Sequence, residues 1–538
     1  MLEHELSRLS SNAGHLSMIR CALLSLLIAL PTLAFASDPT KPNIVILYAD
    51  DLGFGDVQCY NPERGKIATP HIDGLASQGM RFLDAHSSSG VCSPSRYTLL
   101  TGRYHWRTRL QTGIVGLWGG PVIQPERMTI GSLAQENGYA TACIGKWHLG
   151  WNWPIPMAQK QYFKTTGYNG KKDLEASENH RIAWKDVFSK PITGGPTSVG
   201  FDQYFGTDVP NWPPYCFIEN DRTLGIPSEF ADPKLFIKNQ ASQQGPSIPG
   251  WRLEPILPTL AERACGYIEQ QAETKTPFLL YLPLTSPHTP LSVNKQWIGR
   301  SKLNLYADFV METDAAVGKV LSSIKECGLE KETLVIFTSD NGCAPYIGVT
   351  DLESKGHYPS GELRGYKADA WEGGHRVPFI VRWNGVAKAG STCSQLVHQA
   401  DLLATLADLM GTPLPDNAGE DSVSLIPLLR GETNPIRSTS ISCSIRGVPS
   451  IRKDAWKYIP APGSGGWGKG GDQSQPHQLY NLDEDLSESI NLASKHPRKV
   501  RELQDLLESM ITKGRSTEGQ TQPNDVTVRR FRASEPSR

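Results

Sequence analysis

The chain has 538 residues, of which 39% are hydrophobic and 20% are charged. That length and apolar content are enough to bury a large core, so the composition is typical of a globular protein and excludes a largely disordered one. The 54 Lys and Arg residues against 55 Asp and Glu residues give a formal net charge of −1, which excludes the strongly basic surface of a sequence-independent nucleic-acid binder.

The first feature along the chain is an apolar run over residues 21–36, preceded by Arg20 and ending in Ala34-Phe35-Ala36. A basic residue, a short apolar stretch and small residues before a cleavage point form the pattern of a secretory signal peptide. The run is too short, and too interrupted by Pro31, for a membrane span of about 20 residues. We therefore predict a signal peptide over residues 1–36 and no stable membrane insertion.

Cysteine spacing and glycosylation motifs bear on the compartment. The ten cysteines include no C-x-x-C pair, so neither a disulfide framework nor a structural zinc site is indicated. The sequence contains no Asn-x-Ser/Thr site, a motif that marks surface loops of secreted eukaryotic proteins. Together with the predicted signal peptide, the absence of such sites favours an exported bacterial protein, located in the periplasm or outside the cell.

Three apolar, β-branched runs follow, and each ends abruptly in polar residues. Such runs are typical of strands buried on both faces of a parallel sheet. Helix candidates lie between them over residues 69–79 and 306–325. Strands that alternate with helices predict an α/β fold, here a large, mostly parallel sheet flanked by helices within a domain over residues 37–435. The three runs are residues 43–48, 278–284 and 333–338.

The C-terminal part of the chain predicts a smaller α+β subdomain over residues 436–515. We expect a strand around 450–459 and a helix over 497–511. The helix carries an apolar stripe that suits packing on a small sheet, made of Val500, Leu503, Leu507 and Met510. The polar tail over residues 516–538 has little apolar content, and we predict that it is disordered.

Two acidic clusters follow predicted strands. Asp50-Asp51 comes directly after the first strand, and Asp340-Asn341 comes after another. Ligands of open α/β sheets bind at the carboxyl ends of the strands, so we expect these residues to meet there. Adjacent carboxylates repel each other unless a cation neutralises them, and ligands that are all oxygen favour Ca²⁺ or Mg²⁺ over zinc.

The most specific motif is Cys92-Ser93-Pro94-Ser95-Arg96, followed by Leu100-Thr101-Gly102. It resembles the signature of the formylglycine-dependent sulfatases, in which a maturation enzyme oxidises the cysteine to formylglycine (3-oxoalanine). The resemblance extends over most of residues 42–515 and implies an alkaline phosphatase-like fold. It makes the maturation enzyme an expected partner and residues 37–435 the expected catalytic domain.

The resemblance also implies a role for each matching residue. Asp50, Asp51, Asp340 and Asn341 match the family's metal ligands, with the modified Cys92 contributing to the same ion. Arg96 matches the residue that holds the aldehyde hydrate. The remaining matches are the sulfate-contacting Lys146, the catalytic His148, and two further sulfate ligands, His288 and Lys367.

As the resemblance implies it, the mechanism begins with hydration of the Cys92 aldehyde. One hydroxyl, activated by the metal and Asp340, attacks sulfur, and His288 or Lys367 protonates the leaving oxygen. His148 then removes the proton of the second hydroxyl and sulfate leaves. The block over residues 371–378 also resembles a family segment, which we interpret as structural support beneath Lys367.

Two alternatives stay open at this stage, a phosphoesterase of related architecture and an inactive protein that binds sulfated glycans. The expected activity is hydrolysis of sulfate monoesters, on a sulfated carbohydrate and with arylsulfatase activity. Loops over 150–260 and 343–370 are expected to set specificity. Aromatic residues in them suit stacking on a sugar ring, namely Trp151, Trp153, Trp212, Tyr215 and Tyr366.

Overall fold

The computed structural model describes residues 41–167, 174–237, 239, 241–472 and 474–531. The predicted signal peptide over 1–36 and the last part of the predicted tail, 532–538, lie outside these residues. The described residues from Pro42 onward form one compact unit. The bounds of the two predicted domains, 37–435 and 436–515, stay a prediction.

Twenty strands are present in the described part of the chain. They are β1 (Asn43–Ala49), β2 (Met80–Phe82), β3 (Ala85–His86), β4 (Ala140–Lys146), β5 (Thr166–Gly167), β6 (Gln203–Thr207), β7 (Ile218–Glu219), β8 (Arg222–Thr223), β9 (Glu229–Phe230), β10 (Gln243–Gln244), β11 (Pro246–Ser247), β12 (Phe278–Pro283), β13 (Thr333–Ser339), β14 (Phe379–Arg382), β15 (Ser391–Cys393), β16 (Val397–His398), β17 (Thr439–Cys443), β18 (Pro449–Lys453), β19 (Trp456–Ile459) and β20 (Gln478–Asn481).

The α-helices of the same residues are α1 (Pro70–Gln78), α2 (Cys92–Thr101), α3 (Ile130–Glu136), α4 (Glu178–Phe188), α5 (Ile256–Thr274), α6 (Leu305–Glu326), α7 (Val349–Ser354), α8 (Glu372–His375), α9 (Asp401–Met410), α10 (Ile426–Leu429) and α11 (Pro497–Lys513). The predicted helices over 69–79 and 306–325 are confirmed as α1 and α6. In the residues described here, no helix is both long enough and apolar enough to cross a bilayer.

The main sheet has ten strands in the order β15-β2-β14-β13-β1-β12-β4-β6-β7-β8. The five central strands, from β13 to β6, are parallel to one another. Antiparallel pairs occur towards both edges. The predicted α/β fold with a mostly parallel sheet is therefore confirmed at its centre, and the edges make the sheet mixed.

Each face of the sheet is covered by helices because the central strands bury both sets of alternating side chains. In β1, Val45 and Leu47 point into a core that includes residues of α1, α5 and α6. Ile44 and Ile46 point to the other face, where they join residues of α2, α3 and α9. All seven residues of β1 are buried, which is why the run reads as continuously apolar.

The C-terminal region contains the separate antiparallel sheet β17-β18-β19-β20, with α11 packed on it. The predicted strand around 450–459 is a hairpin of β18 and β19. The predicted apolar stripe of α11 is buried as expected, and its residues share a core with Tyr104 and Trp106. This sheet is thus built onto the segment that follows α2.

Residues 516–531 were predicted to be disordered, but they make defined contacts with the rest of the protein. Asp525 accepts hydrogen bonds from the Arg103 guanidinium at 3.0 and 3.1 Å, and the Asn524 side chain accepts one from Arg107 at 3.2 Å. Val528 is buried against the C-terminal core. The prediction was wrong for this stretch because two buried arginines elsewhere in the chain need polar partners, and the polar tail supplies them.

One buried ion pair gives a stability prediction. Arg107 Nε and Nη2 donate to the two carboxylate oxygens of Asp421 at 2.9 and 2.7 Å, and neither side chain is exposed. Burial alone would raise the pKa of Asp421, but Arg107 lowers it. We expect Asp421→Asn to reduce the free energy of unfolding by about 3 kcal/mol, because it leaves a buried guanidinium without its charge partner.

Urea denaturation followed by tryptophan fluorescence measures this loss. Asp351→Asn is the matched control, because Asp351 pairs with Lys355 where both side chains are exposed. We expect the control to lose no more than about 0.5 kcal/mol. Equal losses in the two variants would contradict the assignment of Asp421 as the partner that stabilises Arg107.

Candidate active site

The acidic residues predicted as metal ligands meet at one edge of the main sheet. Asp50 and Asp51 follow β1, and Asp340 and Asn341 follow its parallel neighbour β13, so the two strands deliver their polar residues side by side. Asp51 N donates to Asp340 Oδ1 at 3.0 Å, and Asn341 Nδ2 donates to Asp51 Oδ1 at 2.8 Å. The structure therefore brings these four residues into direct contact.

Two basic side chains cover these carboxylates. Arg96 lies in α2, and its Nη2 is 2.8 Å from Asp340 Oδ2 and 3.3 Å from Asp50 Oδ1. Lys146 ends β4, and its Nζ donates to Asp50 Oδ2 at 2.7 Å. Burial alone would raise the pKa of Asp50, but Lys146 and the other nearby basic groups hold it well below its usual range.

Lys367 and His288 approach from the other side of the cluster. Lys367 Nζ donates to Asp51 Oδ2 at 2.6 Å, and His288 Nε2 lies 3.6 Å from the same oxygen. Burial lowers the pKa of Lys367, but Asp51 and the other nearby acidic groups together outweigh burial, so the pKa is raised. Burial lowers the pKa of His288 to about 4, and its Nδ1 lies 2.5 Å from the carbonyl oxygen of Thr289.

Cys92 is the first residue of α2 and is buried. Its Sγ lies 3.2 Å from Nδ1 of His148, whose Nε2 lies 3.1 Å from the carbonyl oxygen of Val115. Since a carbonyl only accepts, Nε2 carries the proton of the neutral ring and Nδ1 presents a lone pair to Cys92. Burial, assisted by Lys146, lowers the pKa of His148 to about 3, so the ring is neutral and can accept a proton at Nδ1.

The cluster has the donor set of a hard divalent cation. Two of its buried oxygens, Asp50 Oδ1 and Asn341 Oδ1, accept no hydrogen bond. Asp50, Asp51 and His288 each offer a ligand atom within 4.8 Å of the others. Burial and the neighbouring Asp50 raise the pKa of Asp340 well above its usual range, a repulsion that a cation relieves. The residues present therefore fit Ca²⁺ or Mg²⁺.

The backbone at this site adopts conformations that side chains disfavour. Asp51, His148 and Ala368 have φ angles of 65°, 54° and 80°, and left-handed residues of this kind cluster at functional sites. A Cβ atom on Gly145 would lie 1.9 Å from the carbonyl oxygen of Pro283. Only glycine allows β4 to approach β12 closely enough to deliver Lys146 to the cluster.

One positioning residue escaped the sequence analysis. Asp208 follows β6, and its Oδ1 accepts from the backbone N of His148 and from Nε1 of Trp151, both at 3.2 Å. It orients the left-handed segment that carries His148. Asp208 stands alone in sequence with no partner motif, so its only signal is its place just after a strand of the main sheet.

The block over residues 371–378 lies beneath the loop that carries Asp340 and Asn341. Gly342 N donates to the carbonyl oxygen of Gly374 at 3.0 Å, directly after Asn341. Glu372 accepts from Lys457 Nζ at 2.8 Å, which ties the block to the C-terminal sheet. The ligand atoms of Glu372, His86 and His375 also lie close enough together to hold a metal ion. Lys457, however, already pairs with the negative charge of Glu372.

Comparisons with known proteins find relatives over most of the chain. A family model described as Sulfatase matches residues 42–412. An N-acetylgalactosamine-6-O-sulfatase of Bacteroides thetaiotaomicron is 33% identical over 514 residues, which cover 88% of this chain and 94% of that protein. Human arylsulfatase A is 31% identical over 488 residues, which cover 87% of this chain and 86% of that protein.

Solved structures are similar over most of the chain. One, from work on the metabolism of multiple glycosaminoglycans by Bacteroides thetaiotaomicron, has a TM-score of 0.72 at 30% identity and covers 88% of this chain and 99% of its own. Another is a protein in complex with a neocarrahexaose, with a TM-score of 0.63 at 25% identity over 87% of this chain and 92% of its own.

Proposed function

This chain belongs to the sulfatase family, and from that premise we propose that it hydrolyses the sulfate monoesters of a sulfated carbohydrate through a formylglycine made from Cys92. The enzyme is a sulfatase; the proposal concerns its nucleophile, its metal and its substrate. The observation that carries it is the place of Cys92, with Sγ 3.2 Å from His148 Nδ1 at the edge of the cluster of buried acidic and basic side chains.

The charges of the site suit an anionic substrate. Asp50, Asp51 and Asp340 formally balance Arg96, Lys146 and Lys367 in the buried cluster. A divalent cation therefore leaves the site net positive, which favours a sulfate ester. Lys146 and Lys367 offer donors to its oxygens, and His288 adds one when Nε2 is protonated. In a partly dry pocket such interactions are stronger than in water.

The cation would be held by Asp50, Asp51, Asp340, Asn341 and the modified Cys92, and it would supply Lewis acidity. A hydrated formylglycine at position 92 would supply two hydroxyls, one as the nucleophile for sulfur and one for release of the product. Arg96 holds Asp340 and Asp50 in place, and its Nη1 also donates to the carbonyl oxygen of Lys146 at 3.1 Å.

His148 is placed to move a proton at residue 92. Its Nε2–H faces the Val115 carbonyl oxygen, so its Nδ1 lone pair remains free for a hydroxyl of the modified side chain. Asp208 fixes the backbone that carries it. Lys367 and His288 both approach Asp51 Oδ2. The leaving oxygen takes its proton from Lys367, or from His288 when its Nε2 is protonated, because Nδ1 of His288 faces the Thr289 carbonyl oxygen.

The relatives support a carbohydrate substrate with arylsulfatase activity. One is named an N-acetylgalactosamine-6-O-sulfatase, and one structural neighbour holds a neocarrahexaose. We also propose that the chain is exported to the periplasm or the cell exterior by its signal peptide, and that a formylglycine-generating enzyme matures Cys92.

The test is a mass measurement paired with an activity assay. After expression with a maturation enzyme, the tryptic peptide that ends at Arg96 should lose about 18 Da when the thiol becomes an aldehyde. The same sample should release sulfate from N-acetylgalactosamine 6-sulfate and from an aryl sulfate. An aldehyde without release from any ester would overturn the proposed reaction, and release only from the aryl ester would overturn the carbohydrate substrate.

A further inference from the structure

We propose that Tyr346 and Trp467 form an aromatic subsite that stacks on a sugar ring of the substrate, beside the sulfate-binding Lys367. We call this pair the aromatic rim. The inference rests on the proposed function and deepens it, because it assigns residues that select a carbohydrate over other sulfate esters.

The first observation is exposure. Tyr346 is 50% exposed and Trp467 is 41% exposed, the largest exposed fractions of any aromatic side chain in the residues described. Their ring centroids are 5.9 Å apart with an interplanar angle of 48°. Two neighbouring aromatic rings that face solvent form an apolar patch that invites a partner.

The aromatic residues predicted from the sequence for this role are placed differently. Trp151 and Tyr215 are buried. Tyr366 packs against one face of the main core, and Trp153 packs against the core of the other face. Trp212 donates its Nε1 to the carbonyl oxygen of Ala241. Most of these rings therefore serve the fold, and the aromatic rim provides the solvent-facing surface.

The second observation places Tyr346 at the catalytic cluster. It lies in a short 3₁₀ turn, Pro345–Ile347, directly after the loop that carries Asp340 and Asn341. The backbone N of Lys367 donates to the carbonyl oxygen of Cys343 at 2.9 Å. This hydrogen bond holds the segment that carries Tyr346 beside the segment that carries Lys367.

The third observation fixes Trp467 against the same segment. Asp369 Oδ1 accepts from the backbone N of Trp467 at 3.0 Å and of Gly468 at 2.7 Å. Its Oδ2 accepts from the backbone N of Tyr366 at 3.1 Å. One carboxylate therefore ties the C-terminal loop to the residues on either side of Lys367.

This close approach depends on glycine. A Cβ atom on Gly466 would lie 2.1 Å from the carbonyl oxygen of Ala368 and 2.6 Å from Asp369 Oδ1. The loop over 463–471 is thus shaped to reach the active-site segment, and it presents Trp467 outward when it arrives there.

A sugar ring is the occupant that fits these features. A pyranose presents a face of C–H groups that packs on an aromatic ring while its hydroxyls stay in water. A sulfate ester on that ring is anionic and is drawn to Lys367. The exposed area of two rings is small compared with a protein interface, which buries about 800 Å² on each partner.

Trp467→Ala and Tyr346→Ala test the inference with steady-state kinetics of the matured enzyme. The substrates are an N-acetylgalactosamine 6-sulfate oligosaccharide and an aryl sulfate. We expect KM for the saccharide to rise about tenfold in each variant, with kcat changed less than about threefold. The ratio of saccharide to aryl-sulfate kcat/KM falls accordingly, and Trp467→Phe restores most of it because it keeps a ring.

Ile490→Ala is the control. Ile490 is an apolar side chain of the same C-terminal region with 59% exposure. Its loss should leave kcat and KM unchanged for both substrates. An unchanged saccharide KM in both folded rim variants overturns the aromatic rim while leaving the proposed function intact. An equal loss of kcat on both substrates also overturns it, because that indicates a structural role. If the wild-type enzyme cleaves no sulfated saccharide, the carbohydrate substrate fails and the aromatic rim fails with it.

Discussion

Cys92→Ser and Cys92→Ala should each reduce sulfate release by at least about 10⁴-fold, the scale of loss expected when a covalent nucleophile is removed. Serine offers one hydroxyl and alanine offers none, whereas the hydrated aldehyde offers two. The fold should survive, because the cysteine side chain is small. The contact that the substitutions change is the one between Sγ and His148 Nδ1. Sulfate release from an aryl ester and from a sulfated saccharide measures the loss.

The matched control is Cys443→Ala. Cys443 is also buried, in β17 of the C-terminal sheet, where its side chain packs in an apolar core. This variant should lose stability and keep sulfate release within about threefold of the wild type. Normal turnover in either Cys92 variant, with circular dichroism showing a folded protein, would reject formylglycine as the nucleophile.

Asp51→Asn should weaken divalent metal binding by at least about 100-fold and reduce sulfate release by about 10³-fold. The change removes one negative charge from the oxygen cluster and weakens the partner of Lys367, which lies 2.6 Å from Asp51 Oδ2. Asparagine tolerates the left-handed backbone of this position, where φ is 65°. The substitution therefore tests charge without adding backbone strain, which alanine would add.

Metal content by inductively coupled plasma mass spectrometry, after dialysis against a weak chelator, measures this effect. Asp56→Asn is the control, because Asp56 is equally buried nearby and bonds to Tyr306 and His357. It should lower stability and leave metal affinity within about threefold. Metal retained by folded Asp51→Asn at wild-type stoichiometry and affinity would remove Asp51 from the ligand set.

Much of the fold could be predicted because the relevant signals are local. β1 and β13 are buried on both faces, so their runs are continuously apolar, and the polar residues that follow them stand out. The carboxyl ends of neighbouring parallel strands meet at one edge, which is enough to predict that Asp51 and Asp340 lie together. The stripe of α11 is equally local, since it repeats every three to four residues.

Other features could not be predicted, because they depend on contacts between distant segments. Composition suggested disorder after residue 515, yet Asp525 is the partner of Arg103, more than 400 positions earlier in the chain. Asp208 acts on His148 through a backbone hydrogen bond that no motif reports. The sequence places Trp151 in a loop, where its ring could contact a substrate, but packing buries it.

The amino-acid sequence by itself determined the fold class, the family signature at Cys92 and the acidic clusters after the strands. These signals depend only on residues that are close together in the chain. The tertiary structure alone decided which charges pair, which aromatic rings face solvent and which loop reaches Lys367. Asp369 illustrates the difference, since its carboxylate joins Trp467 to the active site across about 100 residues of chain. Such pairings follow from packing in three dimensions, where side chains far apart in sequence share one buried space.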